Sequence, residues 1–382
     1  MSNKKDYDNE QPSFPILANR FDQKNEMFKR ARWDEKIKPL LKRLNEKIFY
    51  EEKLGYRKMD YALHHAAWNL ERSFSFGNYR SNSGLYAWTV SNDQIRQKAE
   101  GGEPVRKPAT EMSHTIKKAA FFFGADMVGI CRLHPGWVYS HEFNVLSLKH
   151  YPLEIPEGCH NAIVLAVAMD YEGIRSSPTA VAGAATGMGY SKMAFVANTL
   201  ATFIRSMGYR ALPCGNDTAL SIPLAMAAGL GEWSRMGLLL TKEFGPRVRL
   251  CKVITDLPLQ EDDYRPFGAV EFCKTCKVCA EQCPSRAIPA GDMTTEGPNI
   301  SSHSGVLKWY IDAEKCYSYW AHNRVSCSNC IRVCPFNQTP VKIHDLARLL
   351  IRNTTIFNRP LVRLHGILRY DRPFPVEKFW ER

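Results

Sequence analysis

Cysteine spacing is the feature of this sequence that most directly predicts chemistry. The first run reads Cys273-x2-Cys276-x2-Cys279-x3-Cys283-Pro284. A loop of this spacing wraps thiolates around one corner of an iron–sulfur cube and leaves backbone N–H groups facing the sulfides. The proline after the last cysteine bends the chain away and has no N–H to donate. Zinc knuckles and disulfides are the alternatives, but zinc favours paired C-x2-C units, whereas this run matches an iron–sulfur pattern directly.

A second, degenerate copy of this run lies further along the chain. It reads Cys327-x2-Cys330-x3-Cys334-Pro335, and Arg324 occupies the position of its leading cysteine. Cys316 is the nearby thiol that can replace the missing ligand. Paired runs of this kind resemble those of bacterial two-cluster ferredoxins, in which the fourth cysteine of each run binds the other cluster. The predicted ligands of two [4Fe-4S] clusters are therefore Cys273, Cys276, Cys279 and Cys334 for one, and Cys283, Cys316, Cys327 and Cys330 for the other.

Length and composition indicate a folded protein of more than one unit. The chain has 382 residues, of which 45% are hydrophobic and 11% aromatic. At roughly 150 residues per domain this predicts two or three units with a buried core, and it excludes a disordered scaffold. Four of the 12 cysteines lie outside the two runs, in or beside apolar stretches. We expect these four, Cys131, Cys159, Cys214 and Cys251, to be small buried side chains. Reduced clusters predict assembly in an anoxic or reducing setting.

Charge and hydropathy narrow the range of partners. The formal net charge is +12, but no block of five or six like charges occurs. This disfavours a nucleic-acid tail and predicts a solvated basic surface, with an anionic membrane face or an acidic redox partner as alternatives. The longest apolar run covers only residues 162–169, whereas a membrane span needs about 20 residues. The first residues lack a hydrophobic stretch and the chain has no Arg-Arg pair, so we expect no export signal in the chain as given.

Helices and strands alternate ahead of the cysteine runs. Apolar runs predict strands at 127–131, 162–169, 210–213 and 248–255. Periodic segments predict helices at 111–123, 189–207, 219–228 and 343–351. This alternation predicts an α/β (α+β) core. The expected division is an N-terminal region with an aromatic pocket-wall segment at 1–108, a core at 109–265, a cluster domain at 266–340 and a tail packed on the core at 341–382.

Two further segments ahead of the clusters have unusual composition. Residues 180–190 are crowded with glycine and alanine, which permits close approach of a large flat ligand. Residues 61–100 are rich in aromatic side chains, among them Phe76 and Trp88. Most of these aromatics are expected to pack in a core, but such a set can also wall an apolar pocket.

Four segments, followed by the split cluster motif, resemble respiratory reductive dehalogenases. They are Gly189-Tyr190-Ser191-Lys192-Met193, Cys214-Gly215-Asn216-Asp217-Thr218, Ala228-Gly229-Leu230-Gly231 and Arg249-Leu250-Cys251-Lys252. The resemblance covers roughly residues 110–340, in order and at consistent spacing. It implies a nitroreductase-like core that binds a base-off corrinoid, with an inserted or appended bacterial-ferredoxin-like domain for two [4Fe-4S] clusters. It also implies reductive removal of halide from a small organohalide, such as a chlorinated alkane or alkene.

The resemblance also implies roles for individual residues. Tyr190 matches the proton-donating tyrosine, Arg249 the arginine that stabilises its phenolate, and Asn216 the polar residue beside them. A nearby guanidinium favours the phenolate form of a tyrosine, which makes loss of the proton accessible. The residues expected to line the substrate pocket are Thr186, Trp320, Phe76 and Trp88. Those expected to bind the corrinoid are Gly187, Gly189, Ser191, Gly215, Gly229 and Gly231. The sequence has no Asp-x-His-x-x-Gly corrinoid motif, which fits a base-off cobalt without a histidine ligand.

Location and partners are likewise expectations from the resemblance. Respiratory members carry a twin-arginine export signal, so the chain is interpreted as a processed, mature form on the outer face of the cytoplasmic membrane. There a small membrane anchor protein would hold it, and a low-potential electron donor would supply it. A cytoplasmic location is the alternative. A homodimer is expected.

Two other functions compete with this interpretation. Epoxyqueuosine reductase, a cytoplasmic tRNA-modifying enzyme, shares the corrinoid core and the double cluster motif, and tRNA binding would fit the basic charge. However, the Tyr190-Ser191-Lys192 and Gly215-Asn216-Asp217 segments resemble the dehalogenases, and no helical repeat for RNA contact follows residue 345. We therefore expect no nucleic-acid partner. A ferredoxin-type electron carrier would not explain the glycine-rich domain that carries the tyrosine and the arginine.

Overall fold

The computed structural model describes residues 19–46, 50–75, 103–145, 147–339 and 341–381. The helices are α1 Met27–Trp33, α2 Lys38–Leu44, α3 Lys58–Ser75, α4 Ala109–Phe122, α5 Tyr171–Arg175, α6 Ala180–Ser206, α7 Ser221–Ala227, α8 Ala269–Thr275, α9 Val278–Glu281, α10 Ala313–Asn323, α11 Asn329–Arg332, α12 Lys342–Asn353, α13 Asn358–Ile367 and α14 Val376–Trp380. The strands are β1 Met127–Arg132, β2 His141–Phe143, β3 His150–Pro152, β4 Asn161–Ala168, β5 Ala211–Cys214, β6 Glu232–Trp233, β7 Leu239–Leu240 and β8 Val248–Thr255. Phe76 and Trp88 lie outside the described residues.

A four-stranded antiparallel sheet forms the core, in the order β1-β4-β8-β5. Alternate side chains of β4 enter two different apolar clusters, because successive residues of a strand point to opposite faces. Ile163 and Leu165 pack beneath α4 and α6, whereas Ala162 and Val164 pack beneath α7. The sheet is therefore covered by helices on both faces. The prediction of a mixed α and β core is confirmed, as is the burial of the four cysteines outside the runs.

Helix α6 begins at Ala180, nine residues before the predicted start at Gly189. Thr179 caps it by accepting a hydrogen bond from the N–H of Ala182. The prediction placed the glycine- and alanine-rich run outside the helix, as a segment that a flat ligand could approach closely. Packing explains the difference. The residues without large side chains form a groove, and α3 lies along it. A Cβ atom at Gly187 would lie only 2.4 Å from the Trp68 ring of α3.

The cluster domain packs around its own apolar cluster. Phe272, Trp309 and Phe336 form part of this core, together with cysteines of both runs. The tail packs here too, since Ile351 of α12 is buried in the same cluster. The tail also contacts the sheet domain, where the N–H of Phe374 donates to the carbonyl of Arg175. The exact domain boundaries stay a prediction. Among the described residues, no helix has the length and apolar character that a membrane crossing requires.

Candidate functional site

The first cysteine group combines three residues of the first run with one of the second. Burial raises the pKa of the Cys273 thiol to about 12, and the neighbouring Cys276 raises it further. Burial likewise raises the pKa of Cys279, with contributions from Cys273 and Cys276. Cys334, from the second run, has its pKa raised by burial and then by these same three thiols. These four side chains therefore lie close together.

The second cysteine group combines one residue of the first run with two of the second run and with Cys316. Burial raises the pKa of Cys316 to about 12, with contributions from Cys327 and Cys283. Burial raises the pKa of Cys330, and the neighbouring Cys327, Cys316, Cys279 and Cys283 also raise it. Cys283 thus leaves its own run to join the second group. Helix α10 supplies Cys316, the cysteine that replaces the one missing at Arg324 in the second run.

The arrangement of sulfur atoms fits iron–sulfur cubes better than single metal ions. A tetrahedral zinc ion with Zn–S bonds of about 2.3 Å would bring its sulfur ligands within roughly 4 Å of each other. Within the described part of the chain, no three of the cysteine sulfurs lie within 4.8 Å of one another. The first group of four is buried in an apolar cluster, whereas the four cysteines of the second group are partly exposed. Because burial favours the protonated thiols, metal loading must release their protons.

Arg235 supports the first cysteine group and was not identified from the sequence. Its side chain is almost fully buried and donates to the carbonyl of Cys273 at 3.0 Å. It also donates to the carbonyls of Pro289 and Gly291, at 2.9 and 2.7 Å. The guanidinium lies 4.6 Å from the centre of the Trp309 ring. The sequence offers no signal for this role, because Arg235 lies far from both runs.

Tyr190, Asn216 and Arg249 come together at the edge of the sheet. Tyr190 lies on α6, Asn216 follows β5, and Arg249 lies on β8. The side-chain amide of Asn216 donates to the Tyr190 hydroxyl at 3.0 Å. The Arg249 guanidinium lies 4.8 Å from the centre of the tyrosine ring. A third contact is with Trp68 of α3, whose ring stacks on that of Tyr190 at 5.1 Å between ring centres. The phenol is thus held by an amide, a cation and an aromatic ring.

Local packing positions the arginine. A Cβ atom at Gly189 would lie 2.9 Å from Cγ of Arg249, so a glycine beside Tyr190 lets the arginine side chain cross α6. The Nε atom of Arg249 is buried and has no hydrogen-bond partner among the described residues. An unsatisfied buried donor is unfavourable, which indicates that a further group can bind beside the tyrosine.

The predicted pocket residues divide into two locations. Thr186 is buried one helical turn before Tyr190, and its hydroxyl lies 3.4 Å from that of Ser328. Trp320 packs instead among residues of α1 and α2, with its ring 5.7 Å from that of Phe28. The structure therefore brings Thr186 close to the tyrosine through helix periodicity, and it gives Trp320 different neighbours. The pocket roles of Thr186 and Trp320 stay predictions.

Contacts within the protein account for several residues expected to bind the corrinoid. Gly187 faces Trp68 in the groove between α6 and α3. The Ser191 hydroxyl donates to the carbonyl of Ala67 at 2.7 Å and accepts from the N–H of Glu71 at 3.0 Å. Both residues thus join two helices. A role for them in cofactor binding stays a prediction.

The three remaining glycines outside α6 also have protein neighbours. The Gly215 carbonyl accepts from Nζ of the fully buried Lys252 at 2.7 Å. Gly229 has a φ of +73°, in the left-handed region that favours glycine. A Cβ atom at Gly231 would lie 2.1 Å from the carbonyl oxygen of Leu240 on β7. These contacts explain the glycines structurally, and their cofactor contacts likewise stay a prediction.

A cavity of about 450 Å³ lies between the sheet domain and the cluster domain. Its walls are largely apolar and include Trp137, Trp233 and Trp309. Asn216 lies on the same wall, so the cavity reaches the residue that hydrogen-bonds Tyr190. Large aromatic surfaces with few polar groups suit a flat macrocycle such as a corrin ring. The residues present therefore fit a corrinoid.

Comparison with known proteins identifies a matching family model and several similar proteins. Residues 272–337 match the family model described as 4Fe-4S double cluster binding domain. The tetrachloroethene reductive dehalogenase of Sulfurospirillum multivorans is 35% identical over 381 residues, covering 91% of this chain and 75% of the relative. The enzyme of the same name from Desulfitobacterium hafniense is 37% identical over 305 residues, covering 70% of this chain and 55% of the relative.

Solved structures also resemble the chain. The catabolic reductive dehalogenase NpRdhA superimposes with a TM-score of 0.74 at 24% identity. The match covers 94% of this chain and 48% of that one. The chain thus spans about half the length of that structure, whose likeness supports the fold.

Proposed function

The chain belongs to the reductive dehalogenase family and is an oxidoreductase, and from this premise we propose that it removes halide from a small chlorinated alkene or alkane. The reaction takes two electrons and one proton: R–X + 2 e⁻ + H⁺ gives R–H + X⁻. The observation that carries the proposal is the contact of Tyr190 with Asn216 and Arg249, at the edge of a cavity that adjoins the cluster domain. The relatives named for tetrachloroethene support a chlorinated C2 compound as the substrate class.

Four cysteines at each of two sites would hold two [4Fe-4S] clusters, and the cavity would hold a base-off corrinoid. When bound, the clusters would supply low-potential electrons and the corrinoid the reduced cobalt at which the carbon–halogen bond is broken. The protein supplies the proton. We assign it to the Oη atom of Tyr190, whose hydrogen-bond partner Asn216 lines the cavity. Transfer of this proton leaves a phenolate.

Arg249 and Asn216 have complementary tasks in this proposal. The Arg249 guanidinium places a positive charge 4.8 Å from the centre of the Tyr190 ring, so it stabilises the phenolate that proton transfer leaves behind. The Asn216 amide donates to the same oxygen and fixes its direction. The ring of Trp68 stacks on that of Tyr190 and helps to hold it in place. A positioned general acid of this kind contributes roughly 10²- to 10⁴-fold to a rate.

We also infer the cellular setting from the family. The proposal places the protein on the outer face of the cytoplasmic membrane as a homodimer, bound to a small anchor protein and reduced by a low-potential donor under anaerobic conditions. Fractionation of the native host would test the location, and native mass spectrometry would test the assembly. Recovery of a monomer from the soluble cytoplasm would contradict this setting without affecting the chemistry.

The test of the chemistry is anaerobic reconstitution with iron, sulfide and cobalamin. Metal analysis would be followed by assays with reduced methyl viologen and tetrachloroethene, trichloroethene or chlorinated ethanes. We expect about eight irons and one cobalt per chain, together with chloride release. Full metal content without release of halide from any of these compounds would contradict the proposed substrate class. Iron without cobalt would contradict the corrinoid assignment.

A further inference from the structure

Lys308 is a partly buried cation in the wall of the cavity. Its backbone is fixed, since its N–H and carbonyl bond to Thr294 in an antiparallel bridge. Its Nζ atom lies 4.5 Å from the ring centres of both Trp233 and Tyr310. Burial lowers the pKa of Lys308 to about 8, and no acidic neighbour among the described residues offsets this. The ammonium group is thus held between two rings without an anionic partner.

The groups around Lys308 do not supply the missing charge. Glu26 is the one carboxylate among the residues that line the cavity, and it does not pair with Lys308. Burial raises the pKa of Glu26, which favours its neutral form. His303 lies nearby, and its pKa is lowered by burial and further by Lys308. The indole Nε1 of Trp233 is also buried and has no acceptor among the described residues. Lys308 and Trp233 thus offer donors in this part of the cavity, and among the described residues no ionised carboxylate pairs with Lys308.

A cation that has lost part of its hydration and has no anionic partner is less stable than one in water. Contacts with two aromatic faces compensate only part of that cost. An anion with oxygen acceptors would pair with Nζ and accept the indole N–H as well. The cavity thus has a large apolar wall for a ring and, on one side, a small basic region.

We propose that Lys308 and Trp233 bind the phosphodiester of the corrinoid's nucleotide arm, an inference that rests on the proposed function. The peripheral side chains of the corrin ring are neutral amides, so the phosphodiester is the anionic group of its organic part. In a base-off corrinoid the nucleotide arm is released from the cobalt, and the protein must hold it elsewhere. The basic region supplies that place, and the tryptophan-lined wall supplies a surface for the ring.

Three probes separate the phosphate from the ring: cobalamin, cobinamide phosphate, and cobinamide, which lacks both phosphate and base. Each would be added to cluster-loaded, corrinoid-free protein. Binding would be followed by quenching of tryptophan fluorescence and by the cobalt retained after gel filtration. We expect the wild type to bind both phosphate-containing probes about 10- to 100-fold more tightly than cobinamide, the range for a hydrogen bond to a charged group.

The variants are Lys308→Met, Lys308→Arg and, as a matched control, Lys242→Met at an exposed position. Lys308→Met should remove the preference for phosphate while leaving cobinamide affinity unchanged, which also reports that the variant is folded. Lys308→Arg and Lys242→Met should keep the preference. A phosphate preference that survives in Lys308→Met, or an equal loss of affinity for all three probes, would overturn the phosphate assignment and leave the proposed function standing. A wild type that binds none of the probes would overturn the proposed corrinoid function with it.

Discussion

Replacing Tyr190 by phenylalanine removes one hydroxyl and leaves the ring in place. The stacking on Trp68 at 5.1 Å and the Arg249 contact at 4.8 Å do not need the hydroxyl. The structural loss is one hydrogen bond, from the amide of Asn216 at 3.0 Å. That amide is exposed to the cavity, so water can replace its partner. The free energy of unfolding should therefore fall by less than about 1 kcal/mol.

The effect on turnover should be far larger. If Tyr190 donates the proton, its loss should lower kcat by at least about 100-fold, which corresponds to roughly 3 kcal/mol in activation free energy. The assay is chloride release from tetrachloroethene with reduced methyl viologen, under anaerobic conditions. Cobalt and iron content and denaturant unfolding would be measured on the same preparations. Both should match the wild type.

Asn216→Ala is the matched control, because it removes the same hydrogen bond and keeps the phenol. Its kcat should fall by about 10-fold or less, the value of a single neutral hydrogen bond. Turnover of Tyr190→Phe within about 3-fold of the wild type, at equal cobalt content, would refute the proton-donor assignment. Equal losses in the two variants would show that the hydrogen bond matters and the proton does not.

Three further predictions follow from the packing and the charges. Cys316→Ser should lower the iron content from about eight to about four or fewer per chain, and an unchanged iron content would refute its role as a ligand. Gly187→Ala should destabilise the protein by about 1–3 kcal/mol in denaturant unfolding, because its Cβ would meet Trp68 at 2.4 Å. Gly366→Ala, at a helical position with no atom within 4 Å, should instead stabilise by about 0.5–1 kcal/mol; the same sign for both would contradict the packing argument. In corrinoid-free protein the unfolded chain binds more protons at Lys308 than the folded chain between pH 8 and 10.5, so unfolding free energy should rise with pH there. Thermal unfolding of Lys308→Met should lack this rise.

Spacing along the chain was enough to predict the cysteine groups. Ligands of a cluster are drawn from short runs, and an exchange of the fourth cysteine is a known feature of paired runs. The strands were predictable for a similar reason, because β4 is an unbroken apolar stretch that must be buried on both faces. Tyr190, Asn216 and Arg249 were predicted by resemblance, and the structure brings them into contact.

Long-range packing could not be predicted in the same way. The start of α6 was misplaced because a groove filled by Trp68 gives glycine a helical role that propensity alone does not reveal. Arg235 and Lys308 have ordinary sequence neighbours, and only the fold encloses them in carbonyl groups or aromatic rings. Their roles depend on contacts between distant segments, which composition and periodicity do not encode.

The exchange of Cys283 and Cys334 between the two groups has a consequence for assembly and for damage by oxygen. The first run supplies three ligands of one cluster, and the second run together with Cys316 supplies three of the other, so neither half of the domain can complete a cluster by itself. Each loaded cluster would cross-link the two runs, which are far apart in sequence. Oxidative loss of one cluster would release a segment that also anchors the other. Inactivation by air should therefore be cooperative, with both clusters and the fold around them lost together.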